Sequence, residues 1–351
     1  MFSKLKSAIT KAISDNIQFC VYRQPSSENI IFGADDGSDT PYKNEFIAVP
    51  FDIEHNNRTS VKCRITDIDN FLLSENLAEV NQYPITNANV TKSQYIKSID
   101  NTIDYIKRGE CKKIVYSNTQ YHQHNKKPDD WADDFIALCN TYPNAFVFLF
   151  KTEDTNYWMG ATPEIILCNA NGNGETMSLA GTRKVNTAGP WGEKEIEEQN
   201  IVTDYIRMTI EQNKLEYSVS KTFTKNAGNI EHLCNRFQIR LYSPKATEEL
   251  LGELHPTPAI SGYPKQKAIE YLVNHEPHER KYYGGYCGLK TENNTFYYYV
   301  ILRCIEFNNS EYCLYAGGGI TADSNPDNEW EEINNKADTL KSIIKNKFHS
   351  L

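Results

Sequence analysis

Apolar residues recur at Phe2, Leu5, Ile9 and Ile13, the three-to-four spacing of an amphipathic helix, so the chain is predicted to open on one. From about residue 17 to 90 the pattern shortens to strand-like runs such as "NIQFCVYR" and "EFIAVPFDI", parted by polar turns. Residues 92–109 return to helical spacing and close at Gly109. Further strand candidates follow in "KKIVYSNTQYH", "AFVFLFK", "YWMGA", "EIILCN" and "ETMSLAG", and "NANGNGE" reads as a hairpin loop from its Asn-Gly chemistry. A long helix is expected from about Glu193 to Lys214 and a shorter one over 264–275. "TFYYYVILRCIEF" and "EYCLYAGGGI" read as two strands joined by the turn "NNS". A last helix starts after "DSNPD", with Asn325 as N-cap and Pro326 at the first helical position. Many strands broken by a few long helices, with no internal repeat or clear linker, predict an α+β fold rather than strict βαβ alternation.

Composition narrows the partners. The 351 residues are 39% hydrophobic and 12% aromatic, ample for a sizeable core in one large domain or two. A net charge of -9 argues against nucleic acid or an anionic membrane as the main partner. Nine cysteines stand singly, mostly in apolar stretches and without Cys-x-x-Cys, which predicts reduced thiols rather than a zinc ribbon or a disulfide framework. "MFSKLKSAITKAISDN" has no apolar run long enough for a signal peptide or a span, so a soluble, cytoplasmic protein is expected.

Two stretches mimic sites. "HEPHE", His275 to Glu279, has histidines three apart with Pro277 between them, not four apart on one helix face, and is read as a solvated helix end. "GGG" at Gly317–Gly319 is followed by neither GxGxxG nor GK[ST]; its bare backbone could still approach a ligand closely.

The helices are more informative. At about 100° per residue, Glu198 falls within roughly 60° of Ile201, Val202 and Tyr205, on the apolar face. It is either a paired or metal-bound carboxylate, or a snorkelling residue favoured by the helix dipole. In the last helix Ile333, Ala337, Leu340 and Ile344 define the inward stripe. Glu329, Lys336 and Glu332 lie roughly 40°, 60° and 100° to one side of Ile333, while Glu331 points to water. That flank is either a site or an ordinary i,i+4 surface pair. Lys113 begins the apolar run "KIVY", Glu164 follows Pro163 in "GATPE", and Arg303 interrupts aliphatic neighbours. On a continuous strand Arg303 and Ile301 would share one face, and the guanidinium would need an anion.

"KIVYS", "GATPEIIL", "LAGT", "EKEIEEQNIV", "LHPTPAISGYPKQKA", "YYGGYCG", "ILRC" and "YAGGGITADSNPDNEWEEINNK" resemble, in order and spacing, the motifs of chorismate-utilising enzymes. The likeness covers residues 92–345; the first 90 residues are a divergent N-terminal part that carries no matching motif. It implies one large α+β domain over 1–351, with antiparallel sheets packed about helices and the active site between them. It also implies magnesium as cofactor, held by Glu198 and Glu332 and by Glu329 directly or through water. Arg303 resembles the arginine that grips the enolpyruvyl carboxylate, and Tyr283 lines the same pocket. Gly317, Gly318 and Gly319 look like the backbone that meets substrate carboxylates, with Lys336 a further anion contact. Gly181 and Thr182 of "LAGT", and Ala259 of "TPAISG", fall at substrate-binding positions.

Four positions bear on subtype. Lys113 resembles the general-base lysine of isochorismate and salicylate synthases, where anthranilate synthases have glutamine; Glu164 matches the general acid. Ala180 stands where aminodeoxychorismate synthases often carry a nucleophilic lysine, and Ala259 where ammonia-using members have threonine. The resemblance therefore implies an isochorismate synthase, feeding menaquinone or siderophore synthesis, that acts as a monomer with no glutamine-hydrolysing partner. A salicylate synthase is the nearest alternative, then an anthranilate or aminodeoxychorismate synthase component or a silent chorismate-binding subunit. Relatives often have arginine after the strand's serine; this chain has Asn118.

Overall fold

The computed structural model describes residues 2–34, 44–52, 59–61, 64–65, 68–75, 77–86, 89–291 and 293–344. The part of "EFIAVPFDI" from Ile53 lies outside them. Helices are α1 (Phe2–Ser14), α2 (Ile68–Leu73), α3 (Lys92–Lys107), α4 (Pro128–Thr141), α5 (Glu193–Gln212), α6 (Pro244–Leu254), α7 (Lys265–His275) and α8 (Pro326–Lys341). The predicted stripe Leu5, Ile9 and Ile13 of α1 is buried, whereas Phe2 is exposed. Asn325 caps α8 by accepting from Asn328 N at 3.1 Å, a contact that stabilises such ends by about 1 kcal/mol.

The strands form two antiparallel sheets. One runs in the order β14 (Gly262–Tyr263), β6 (Lys113–Gln123), β18 (Glu311–Ile320), β17 (Cys304–Phe307), β8 (Tyr157–Thr162), β7 (Phe146–Lys151), β1 (Phe19–Arg23), β2 (Ile30–Ala34), β5 (Arg64–Ile65). The other runs β11 (Tyr217–Val219), β13 (Ile230–Arg240), β10 (Asn173–Lys184), β9 (Ile165–Ala170), β16 (Phe296–Val300), β15 (Tyr286–Thr291), β3 (Asn44–Val49), β4 (Thr59–Val61), with β12 (Phe223–Ala227) also on β13. The motif-poor N-terminal part thus adds strands to both sheets. The Asn171–Gly172 turn between β9 and β10 has φ of 53° and 80°, the left-handed pair expected of an Asn-Gly hairpin.

Aromatic residues fill the space between the sheets. Phe146 of the first stacks on Tyr299 of the second at 4.3 Å and 7°, and Phe150 meets Phe46 at 5.7 Å. On the outer face of the first sheet α1 and α4 share a core with Val147, Leu149 and Met159. Helices α3 and α5–α8 share another with the second sheet and the β6–β18 edge. The α+β expectation holds, as helices outside two facing sheets.

Two local readings need correction. "TFYYYVILRCIEF" is not one strand: β16 ends at Val300 in one sheet and β17 starts at Cys304 in the other. The chain crosses through Ile301–Arg303, and Arg303 takes φ 47°, a left-handed conformation that costs a non-glycine residue about 1–3 kcal/mol. Face alternation at Arg303 therefore does not apply. Nor is "HEPHE" wholly solvated. His275, Pro277 and Glu279 are exposed, but the Glu276 side chain is only 3% accessible and pairs with Arg280 at 2.6 Å.

Candidate active site

A cleft with about 670 Å³ of empty space, part of it open solvent, lies where the chain crosses between the sheets. Nine sequence-predicted residues line it: Glu164, Thr182, Glu198, Ala259, Tyr283, Arg303, Gly317, Gly319 and Lys336. Lys113, Gly181, Gly318, Glu329 and Glu332 do not line it. Strands β6, β10, β13 and β18, helices α5 and α8, and the β8–β9 and α6–β14 connections all contribute.

The glycines are there for close approach. A Cβ on Gly317 would lie 2.7 Å from the Tyr283 hydroxyl, and one on Gly319 would lie 2.3 Å from Glu198 Oε1 and 2.9 Å from Lys113 Cε. One on Gly318 would come 3.3 Å from Glu329 Oε2 and 3.8 Å from Glu332 Oε1. Three carboxylates from α5 and α8 thus face one stretch of β18 backbone. The helical wheel of α8 is realised: Glu329 is buried, Glu332 and Lys336 are half-buried, and Glu331 is exposed.

Each carboxylate is matched by a lysine. Lys113, fully buried, forms an ion pair with Glu198, Nζ to Oε1 at 3.0 Å. Lys194 pairs with Glu329 Oε1 at 2.5 Å. Lys336 pairs with Glu332 Oε1 at 2.8 Å, so the i,i+4 pair exists, and also donates to Gly317 O at 2.8 Å. Burial works to raise the pKa of Glu198, but Lys113, Lys194 and Lys336 together hold it below the ordinary carboxylate value. Glu329 goes the other way, pushed up by burial and then by the Glu332 charge, against Lys194. Its Oε2 is buried without a hydrogen-bond partner. Among the described residues no three acidic, histidine or cysteine side chains stand close enough to enclose one ion.

Glu164 is a buried carboxyl of the cleft. Burial raises its pKa to about 8, against the opposing charges of Lys113, Lys225, Arg303 and Lys336 in that order. It therefore holds a proton at neutral pH, as a general acid must. Between about pH 4.5 and 8 the folded chain keeps this proton and an unfolded chain releases it. The group's contribution to stability therefore falls as pH rises through that window. If Glu164 is the acid, activity declines on the alkaline side with a midpoint near pH 8, a limb absent from residual Glu164→Gln activity. A pH profile of kcat/KM checks it; a limb that survives in the variant assigns it elsewhere.

Arg303 has an unexpected partner. Among the described residues it forms no salt bridge; Nη1 donates to Ala227 O at 2.7 Å and Nη2 meets His232 Nε2 at 2.8 Å. Because arginine only donates, Nε2 accepts, and Nδ1–H donates to Gly181 O at 2.9 Å. Burial and then the charges of Arg303 and Lys336 push the His232 pKa far below the usual value, which keeps this tautomer neutral. The guanidinium positive charge stays uncompensated in the cleft. His232 escaped the sequence reading because one histidine in an alternating strand carries no pattern. Gly181 serves it rather than the cleft: it is the φ 64° bulge of β10 whose carbonyl turns to the imidazole.

Residues 52–342 match the family described as chorismate binding enzyme. The chain belongs to that family. Anthranilate synthase component 1 of Bacillus pumilus is 27% identical over 293 residues, which is 79% of this chain and 56% of that protein. Isochorismate synthase MenF of Haemophilus influenzae is 29% identical over 251 residues, covering 68% and 57%. The chain thus spans less than three-fifths of the length of either curated relative. In fold it is similar to the Escherichia coli menaquinone-specific isochorismate synthase MenF, with a TM-score of 0.78 at 18% identity, over 97% of this chain and 91% of that one. Both activities occur among the relatives. No described helix is long and apolar enough to cross a membrane.

Proposed function

We propose that this chain is an isochorismate synthase, converting chorismate reversibly to isochorismate with magnesium. The observation that carries the reading is Glu164, a buried carboxyl held protonated to about pH 8 in the cleft, with Lys113 the cation that opposes this most. An acid and an amine base so placed suit exchange of a hydroxyl by water. Once its ammonium has lost a proton to solvent, Lys113 takes a proton from water as the water oxygen bonds to C2 of the ring. The ring double bonds shift, and Glu164 protonates the C4 hydroxyl, which leaves as water. One water enters, one departs, and the proton lost by Glu164 is matched by the one gained at Lys113. Ala180 puts a methyl on the cleft wall, so no amine nucleophile competes from that position.

The substrate is a dianion. Arg303, whose charge lacks a carboxylate partner among the described residues, would take the enolpyruvyl carboxylate, with Tyr283 lining the same cleft. Lys336 and the Gly317–Gly319 backbone would take the ring carboxylate. The donors behind that backbone fit magnesium in chemistry: hard carboxylate oxygens, one of them buried without a partner, and two glutamates that repel. Glu198, Glu329 and Glu332 do not enclose an ion as they stand and would have to draw together to hold one, and it would supply neutralising charge to the ring carboxylate. Incubating the purified protein with chorismate and Mg²⁺ and chromatographing the products tests the reading. Isochorismate in equilibrium with chorismate supports it. Salicylate with pyruvate makes the chain a salicylate synthase, and no turnover leaves a silent binding subunit.

A further inference from the structure

Glu276 and Arg280 lie just beyond α7, behind the cleft wall and absent from its lining. Arg280 grips Glu276 with two parallel bonds, Nε to Oε2 at 2.7 Å and Nη2 to Oε1 at 2.6 Å. The same guanidinium donates to two backbone carbonyls from separate elements: Nη1 to Ile260 O at 2.8 Å and Nη2 to Val115 O at 2.5 Å. Its faces lie 4.4 Å from the Phe51 ring and 5.7 Å from that of Tyr283. Glu276 Oε1 also accepts from Ser117 N at 2.6 Å and Ser117 Oγ at 2.7 Å, and His278 Nε2 completes the cluster 3.0 Å from that hydroxyl. Val115, Ile260 and Tyr283 all line the cleft, and Ser117 pairs in register with Gly317.

We propose that Glu276 and Arg280 are positioning residues that lock strand β6, the Ile260 turn and Tyr283 together, and through Ser117 set the Gly317–Gly319 backbone for the substrate's carboxylates. The planar fork is what does this. It reaches a carboxylate and two carbonyls at once with fixed angles, whereas a lysine ammonium is a single point on a flexible stem. A chain that had to stabilise α7 alone would not need bonds to two cleft walls.

The kinetic arm of the test rests on the chorismate reading; a hydrogen-exchange arm does not. Arg280→Lys is expected to raise KM for chorismate about tenfold while kcat stays within about threefold, since the groups that exchange protons are untouched. Amide exchange is expected to quicken in peptides covering 114–118, 257–262 and 315–320, with 173–184 unchanged. Glu276→Gln, which keeps an acceptor for Ser117 but loses the charge, should shift both readouts less in the same direction. Wild-type KM with wild-type exchange overturns the proposal. So does faster exchange throughout the chain with unaltered KM, which marks a merely structural pair. If the unmutated protein leaves chorismate untouched, the proposed function falls, and local against uniform exchange alone decides the positioning role.

Discussion

Replacing Lys113 with glutamine abolishes water addition to chorismate, lowering kcat by about 10²–10⁴-fold, the range a positioned general base contributes, while chorismate still binds. Glutamine fills nearly the same space at the buried start of β6 and keeps N–H groups facing Glu198, but cannot take a proton. The change therefore removes the proposed base without emptying its place beside Gly319, where Lys113 Cε would touch an added Cβ at 2.9 Å. Steady-state kinetics beside calorimetric binding of chorismate with Mg²⁺ separate the two effects. Turnover equal to wild type would take Lys113 out of the mechanism.

Glu332→Ala abolishes Mg²⁺-dependent turnover, and Glu331→Ala leaves it nearly intact. The two glutamates are adjacent on α8, alike in charge and propensity, and differ only in direction. Glu332 is half-buried, pairs with Lys336 and bears on Glu329 strongly enough to raise its pKa. Glu331 is exposed, and surface changes of that kind shift stability by no more than about 0.5 kcal/mol. Titrating activity against Mg²⁺ for both variants, with melting curves to show that each folds, gives the contrast. Equal losses would mean that orientation on this helix does not select the ligand.

Helices α1, α3, α5, α7 and α8 were legible because a helix side chain's direction follows from a constant angle per residue, whereas α2, α4 and α6 were not read as helices. The inward set of α8 and the Asn325 cap both came from spacing alone. Much of the candidate site was legible through the motif resemblance, and nine of its residues meet in one cleft. Strand readings carried less. "TFYYYVILRCIEF" is apolar apart from Thr295, Arg303 and Glu306 because both sheets are buried, so its hydrophobic pattern does not mark where the chain leaves one for the other. The crossing at Arg303 depends on Gly160, whose missing side chain makes room: a Cβ there would lie 2.7 Å from Arg303 O.

The His232–Arg303 contact joins residues 71 apart, the Lys194–Glu329 pair residues 135 apart, and the Glu276–Ser117 clamp residues 159 apart. Such pairs leave no spacing to read. "HEPHE" shows the consequence, since its exposed and buried members alternate only because β6 happens to pass beside Glu276 and His278.

By itself, then, the sequence determined five of the eight described helices, the Asn-Gly turn, the inward and outward faces of the last helix and, through long motifs, the family. Those follow from short-range sterics and periodicity. Only the tertiary structure decided that Glu164 keeps its proton, that a neutral histidine holds Arg303, and that three lysines each answer one glutamate. These are properties of burial and of charge brought close across the chain, and the free energy of a charge depends on its surroundings rather than on its neighbours in sequence.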